Sequence, residues 1–229
     1  MGRRRWTTGA FGVALASALL GGSLQAQDLA DFDYEDLTLR GLAFDGGYIW
    51  PTRVEPTKTL GVRIDLGYLG PGLRILPRIG FWESRMKRVE VAELEGRVNA
   101  LVDASSPNGT PPADVDLGQI DWSDLTLGLD AQLVWSIPFD MLSYLGLGVS
   151  AHIQNGSGAA ISDTFVEDLL DGSVAGFNLH GGLEYPISDR VRIYSTGRYE
   201  VMGDLRYFQV GGGLQIMFSR PAPGEQRSR

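Results

Sequence analysis

The chain of 229 residues contains no cysteine. A disulfide framework, a thiol nucleophile and a thiolate metal site are therefore all excluded. Histidine is nearly as scarce: there are two, His152 and His180, and their spacing supplies no motif with the three or four ligands a zinc site needs. Positive charge is not in excess either. The formal net charge is −8 and the pI is near 4.8, whereas a nucleic-acid partner calls for a basic footprint. Long apolar runs are missing as well. Nothing approaches the ~20 residues of a spanning helix, and the mean hydropathy is −0.05. No cofactor is implied by any of these features.

The first 26 residues read as an export signal. Arg3, Arg4 and Arg5 form a positive start, residues 10–20 a short apolar core, and Ser23-Leu24-Gln25-Ala26 offers small residues for cleavage after Ala26. Residues 27–36 form an acidic, polar lead-in, residues 37–219 the main domain, and residues 220–229 a polar tail expected to be disordered. An exported chain without a spanning helix enters a membrane only as a barrel.

What is plentiful is glycine, 31 residues, and alternation. In residues 207–218, Phe208, Val210, Gly212, Leu214, Ile216 and Phe218 share one face, and Tyr207, Gln209, Gly211, Gly213, Gln215 and Met217 the other. Period two means a strand. Grease on one side and small polar residues on the other suit lipid outside and a packed polar lumen inside. Seven further stretches alternate in the same way, the clearest being Leu60, Val62, Ile64, Leu66 and Tyr68 against Gly61, Arg63, Asp65 and Gly67. Gly70-Pro71-Gly72 is a tight turn, Pro77 a ladder defect on the outward face, and Gly203-Asp204 a two-residue hairpin.

Two segments break the pattern. In residues 84–118, Val91, Leu94, Val98, Leu101 and Val102 recur at three and four, which predicts a short amphipathic helix lying as a lid on the rim. Thr164 and Glu167 have capping-box spacing and predict a helical turn. The count of strands is eight. Connections after the second, fourth and sixth are short and most of the others are long, so both termini fall on one side. The expectation is an all-β, eight-stranded antiparallel up-and-down transmembrane β-barrel with a short amphipathic helix in one outer loop.

An eight-stranded barrel has an interior just wide enough to be filled by side chains. On the inward parity lie Asp45, Asp65, Asp130, Glu184 and Glu200, and also Arg63, Arg74, Arg78, Arg192 and Arg198. Buried charges must pair, so a salt-bridged plug is expected. Glu184 should sit opposite Arg192, and Asp65 within reach of Arg74 or Arg78. Tyr48, Trp50, Tyr68, Phe81, Trp135 and Tyr185 fall near strand ends on outward parity and read as interfacial girdles. Ser150 lies two residues before His152 on the same face, which leaves a nucleophile and base open beside a plain hydrogen-bonding role.

With its signal segment, eight alternating strands and aromatic-ended last strand, the chain resembles the small eight-stranded outer-membrane barrels, the OmpA-transmembrane-domain and OmpX-like group, over roughly residues 37–218. The resemblance implies a bacterial outer-membrane location, with outer-membrane lipid as surroundings; no catalytic signature surrounds His152, so no enzymatic activity is expected. It also implies that Val210, Gly212, Leu214, Ile216 and Phe218 are read by the barrel-assembly machinery. Residue patterning adds a structural or surface-interaction role with an unidentified surface ligand. A narrow small-solute channel or a lipid-modifying enzyme stand as alternatives.

Overall fold

The computed structural model describes residues 37–105 and 115–218. The expected export signal, lead-in and tail, and part of the loop after the first helix, lie outside the described residues. Nine strand segments follow in chain order: β1 (Gly41–Pro51), β2 (Thr57–Asp65), β3 (Tyr68–Gly70), β4 (Leu73–Arg85), β5 (Asp121–Ile137), β6 (Met141–Ser157), β7 (Gly172–Ser188), β8 (Val191–Met202) and β9 (Leu205–Met217). Two helices join them, α1 (Arg88–Ser105) between β4 and β5, and α2 (Phe165–Leu170) between β6 and β7. Among the described residues no helix is long and apolar enough to cross a membrane.

All pairings are antiparallel. β9 returns to β1, from Gly41 opposite Met217 to Pro51 opposite Tyr207. Both β2 and β3 pair with β4, which closes the ring. β2 and β3 are thus two pieces of one stave, and the molecule is a closed up-and-down barrel of eight staves. The first stave starts late, at Gly41, although the N–H groups of Thr38 and Arg40 already donate to Leu66 and Asp65.

The interruption in the second stave corrects one expectation. Gly67 has φ +82, a conformation glycine adopts at no steric cost, and its N–H donates to Asp65 Oδ1 at 2.8 Å. The chain bends there and the alternation slips by one. Tyr68 therefore faces inward, buried among Val134, Leu142 and Tyr144, and is not part of an outer girdle. Leu69 takes the outward position instead, 56% exposed.

Elsewhere the alternation holds, with its polarity reversed relative to a water-soluble barrel. Leu60, Val149 and Leu147 are 70%, 59% and 51% exposed, while Arg74, Asp130 and Gln132 have no exposed surface. A water-soluble fold buries the first kind and exposes the second; a wall in lipid does the opposite.

β5, β6 and β7 each run for 17 residues, well beyond the ~10 that a tilted crossing requires. The excess carries the staves past the lipid on the side of the long loops. There the inward face turns apolar. Ile49, Trp82, Trp122, Met202, Leu205 and Tyr207 close over the lumen. α1 adds Val91, Leu94 and Val98 to this cap, and α2 adds Val166 and Leu170. Leu101 of α1 is exposed and Val102 only half-buried, so the apolar stripe seats along its first three turns. α2 is capped by Thr164, whose Oγ1 accepts from the N–H of Val166, while Glu167 Oε2 accepts from the N–H of Asp163.

Candidate functional site in the lumen

The interior holds stacked ionic clusters. Nearest the short turns, Arg74 donates through Nη1 to Glu184 Oε2 at 3.0 Å, through Nη2 to Glu184 Oε1, and through Nη2 to Gln132 Oε1 at 2.7 Å. This fork places two parallel bonds on one carboxylate, the strongest geometry an arginine offers. Asp65 Oδ2 lies 3.8 Å from the same guanidinium. Arg192 Nη1 is 3.8 Å from Glu184 Oε2, but Glu184 sits opposite Tyr194 and Arg192 opposite Pro186, because the hairpin turns at Asp189-Arg190 and not around Ser188.

In the middle, Arg198 donates to both oxygens of Asp130, and Asn178 Nδ2 donates to Asp130 Oδ1 at 3.3 Å. His180 links Asn178 Oδ1 at 2.7 Å to Gln132 Nε2 at 3.0 Å. Arg78 reaches Glu200 at 3.3 Å. Toward the outer end, His152 Nδ1 is 2.9 Å from Asp124 Oδ2, and its Nε2 is 2.9 Å from Ser150 Oγ. The Ser150 hydroxyl donates to Glu200 Oε1, and Thr126 donates to Asp124 at 2.7 Å.

The connectivity Ser150–His152–Asp124 has the order of an acyl-transfer relay. The serine proton, however, is committed to Glu200, and His152 has no exposed surface. The arrangement is a clasp joining β5, β6 and β8.

Glycines make room for these clusters. A Cβ at Gly176 would stand 2.5 Å from Ser150 Oγ, and one at Gly146 would stand 2.6 Å from His180 Nε2; at Gly148 it would collide with Asp130 Oδ1. Asp45 and Arg63 stand apart from the network. Among the described residues no carboxylate lies within ion-pairing distance of Arg63, whose guanidinium carbon lies 3.7 Å above the centre of the Tyr194 ring. Asp124, Gln132, Asn178 and Thr126 are members that the sequence reading did not single out. All four share the inward parity of Asp130 or His180, which is the signal that finds them.

On the outside, Tyr48, Trp50 and Phe81 stand exposed toward the long loops, and Tyr185, with the half-buried Trp135, toward the short turns. Trp50 packs between Tyr48 and Phe208, with ring centres 5.1 and 6.1 Å away. Val210, Gly212, Leu214, Ile216 and Phe218 lie on the outward face of the last stave. Where Pro77 faces β2, the wall has an apolar groove of about 510 Å³ lined by Val62, Ile64, Pro77, Ile79 and Leu129.

No family model and no curated protein matches the chain. Several solved structures resemble it. Neisserial surface protein A aligns over 80% of this chain and 100% of its own, at 15% identity and a TM-score of 0.49. The attachment invasion locus protein Ail of Yersinia pestis covers 79% and 100% at 14% identity and 0.41. The N-terminal β-barrel domain of Pseudomonas aeruginosa OprF covers 79% and 98% at 11% identity and 0.43. At such identities the likeness is one of general architecture. What puts this wall in lipid is its own polarity: a closed antiparallel ring of eight staves, apolar outside and ionic inside.

Proposed function

We propose that this eight-stranded outer-membrane β-barrel serves a structural and surface-interaction role, with its lumen closed to solutes at rest. The observation that supports this most directly is the double seal. Forked arginine–carboxylate pairs cross the interior, and a dry cap fed by α1 and α2 covers its outer end. A narrow lumen occupied by guanidiniums held on carboxylates leaves little width for a hydrated solute. The surface offered to partners is then the long-loop end, around residues 84–118 and 154–172.

In this reading Tyr48, Trp50, Phe81, Trp135 and Tyr185 anchor the two lipid interfaces, and the outward residues of β9 are what the assembly machinery engages. The His152 clasp contributes stability. The native outer-membrane fraction should hold the protein in a form whose gel mobility shifts on boiling, and purified protein in planar bilayers should show no sustained conductance. Recovery in a soluble periplasmic fraction would defeat the membrane assignment, and steady wild-type conductance would defeat the seal.

A further inference from the structure

The hairpin between β5 and β6 closes against the steric preference of its residues. Ile137 pairs with Met141, and Pro138, Phe139 and Asp140 make the turn. Phe139 has φ 71 and Asp140 φ 57. Left-handed backbone at two successive positions suits the twist of the flanking strands, and glycine is the residue that adopts it at no steric cost. The turn after β3 uses Gly72 for it, with φ 64, and the turn after β8 uses Gly203, with φ 46. Aspartate tolerates the conformation; a bulky aromatic there is an outlier. Strain held in this way points to a task for the residue.

What Phe139 offers is its ring. It is 86% exposed, more than any other large apolar side chain among the described residues. Leu133, Trp135 and Ile137 lead to it along the outward face of β5, and Leu183, Tyr185 and Ile187 run toward the same end on β7. Leu142 lies opposite Glu184. Continuing that register by one residue sets Met141 beside Tyr185, and Phe139 and Ile187 come next, at the tips of two turns. With Tyr185 at the edge of the hydrocarbon, two further residues reach ~6.6 Å along a strand, which a tilt of ~40° reduces to ~5 Å of depth. The headgroup layer is about 5–7 Å thick on each side of a bilayer. The tips therefore end among headgroups and not in the water beyond. Their other side chains suit such a layer, since Asp140, Asp189 and Arg190 are exposed beside the apolar pair.

We propose that the β5–β6 turn is a membrane anchor whose Phe139 ring, with Ile187 beside it, is inserted among the phospholipid headgroups on the short-turn side. The inference rests on the outer-membrane barrel reading and adds to it a contact that lies outside the staves. The occupant is lipid because the apolar pair continues the lipid-facing wall without a break. A soluble partner or a second copy would need the pair to stand clear of the headgroups, and ~5 Å beyond Tyr185 is too short a reach for that. Strain and insertion act with opposite signs. Removing the ring relieves the left-handed backbone and forfeits the lipid contact, so the direction of the change in stability reveals which dominates.

The test uses the full-length protein refolded into vesicles of phosphatidylethanolamine and phosphatidylglycerol. Phe139→Gly and Phe139→Asn both accept the turn geometry. Each should lower the folding equilibrium constant, read from urea titration, by at least about threefold in spite of the relieved backbone. An unchanged or larger constant would overturn the anchor, because a ring standing in water contributes only strain. The chain has no cysteine, so Phe139→Cys takes a single nitroxide label for a second measurement. Its ratio of collisions with oxygen, which concentrates in lipid, to collisions with a water-soluble nickel complex should exceed that of a label at Asp116→Cys in the exposed outer loop. Equal ratios would overturn the insertion and leave the tip free for a protein partner. A boiling-dependent gel shift verifies that each variant is folded. Loss of that shift in the wild type would instead defeat the barrel reading on which the anchor rests.

Discussion

Arg74 has no exposed surface and spends its guanidinium on Glu184, Gln132 and Asp65. Breaking such a pair by removing one partner strands the other charge, typically at about 3–5 kcal/mol. Glu184→Gln should therefore lower the unfolding free energy in lipid vesicles by that order, read from urea titration of Trp fluorescence. Replacing both residues by Met should cost much less than the two single changes added together, since no charge is left stranded. Ten inward acids and arginines were legible from parity alone, because a strand assigns faces by counting. Tyr68 was not, because one glycine at positive φ shifts the count by one. The tightest pairing was not legible: Glu184 meets Arg74, distant in sequence, across a barrel whose curvature no single strand encodes.

At the scale of elements, the staves could be placed from alternation but their upward extension could not. Trp82, Trp122, Met202 and Leu205 lie on lumen parity, and only closure into a ring shows that they meet over a polar interior. The capping of α2 is separable from the barrel. Thr164→Ala removes the acceptor for the Val166 N–H and should cost about 1 kcal/mol locally. Faster amide exchange in residues 165–170 with an unchanged global unfolding midpoint would verify this. Pro77 presents no N–H to the second stave, while Ile75 on the same edge donates to Gly67 at 3.0 Å. Pro77→Val should restore a ladder bond at the β2–β4 seam and slow amide exchange in residues 63–65, readable by mass spectrometry.

For the molecule as a whole, lipid is the solvent that decides stability. Val149 sits at the centre of β6 on the outward face, 59% exposed. Val149→Arg should destabilise by about 2–4 kcal/mol, against about 0–1 for Ile153→Arg, four residues nearer the long loops on the same stave and also outward. Refolding titrations in vesicles distinguish the two, and equal effects would mean that depth in the bilayer is not what these positions sense.

The seam between β1 and β9 joins residues 41–51 to residues 207–217, the two extremes of the folded chain. Synthesis must have passed residue 217 before this row of hydrogen bonds has both its halves. Until then any partly formed sheet offers two raw margins to whatever strand it encounters. Nonsense mutations anywhere upstream of the final stave should consequently yield no surviving fragment, only material for escort proteins and proteases.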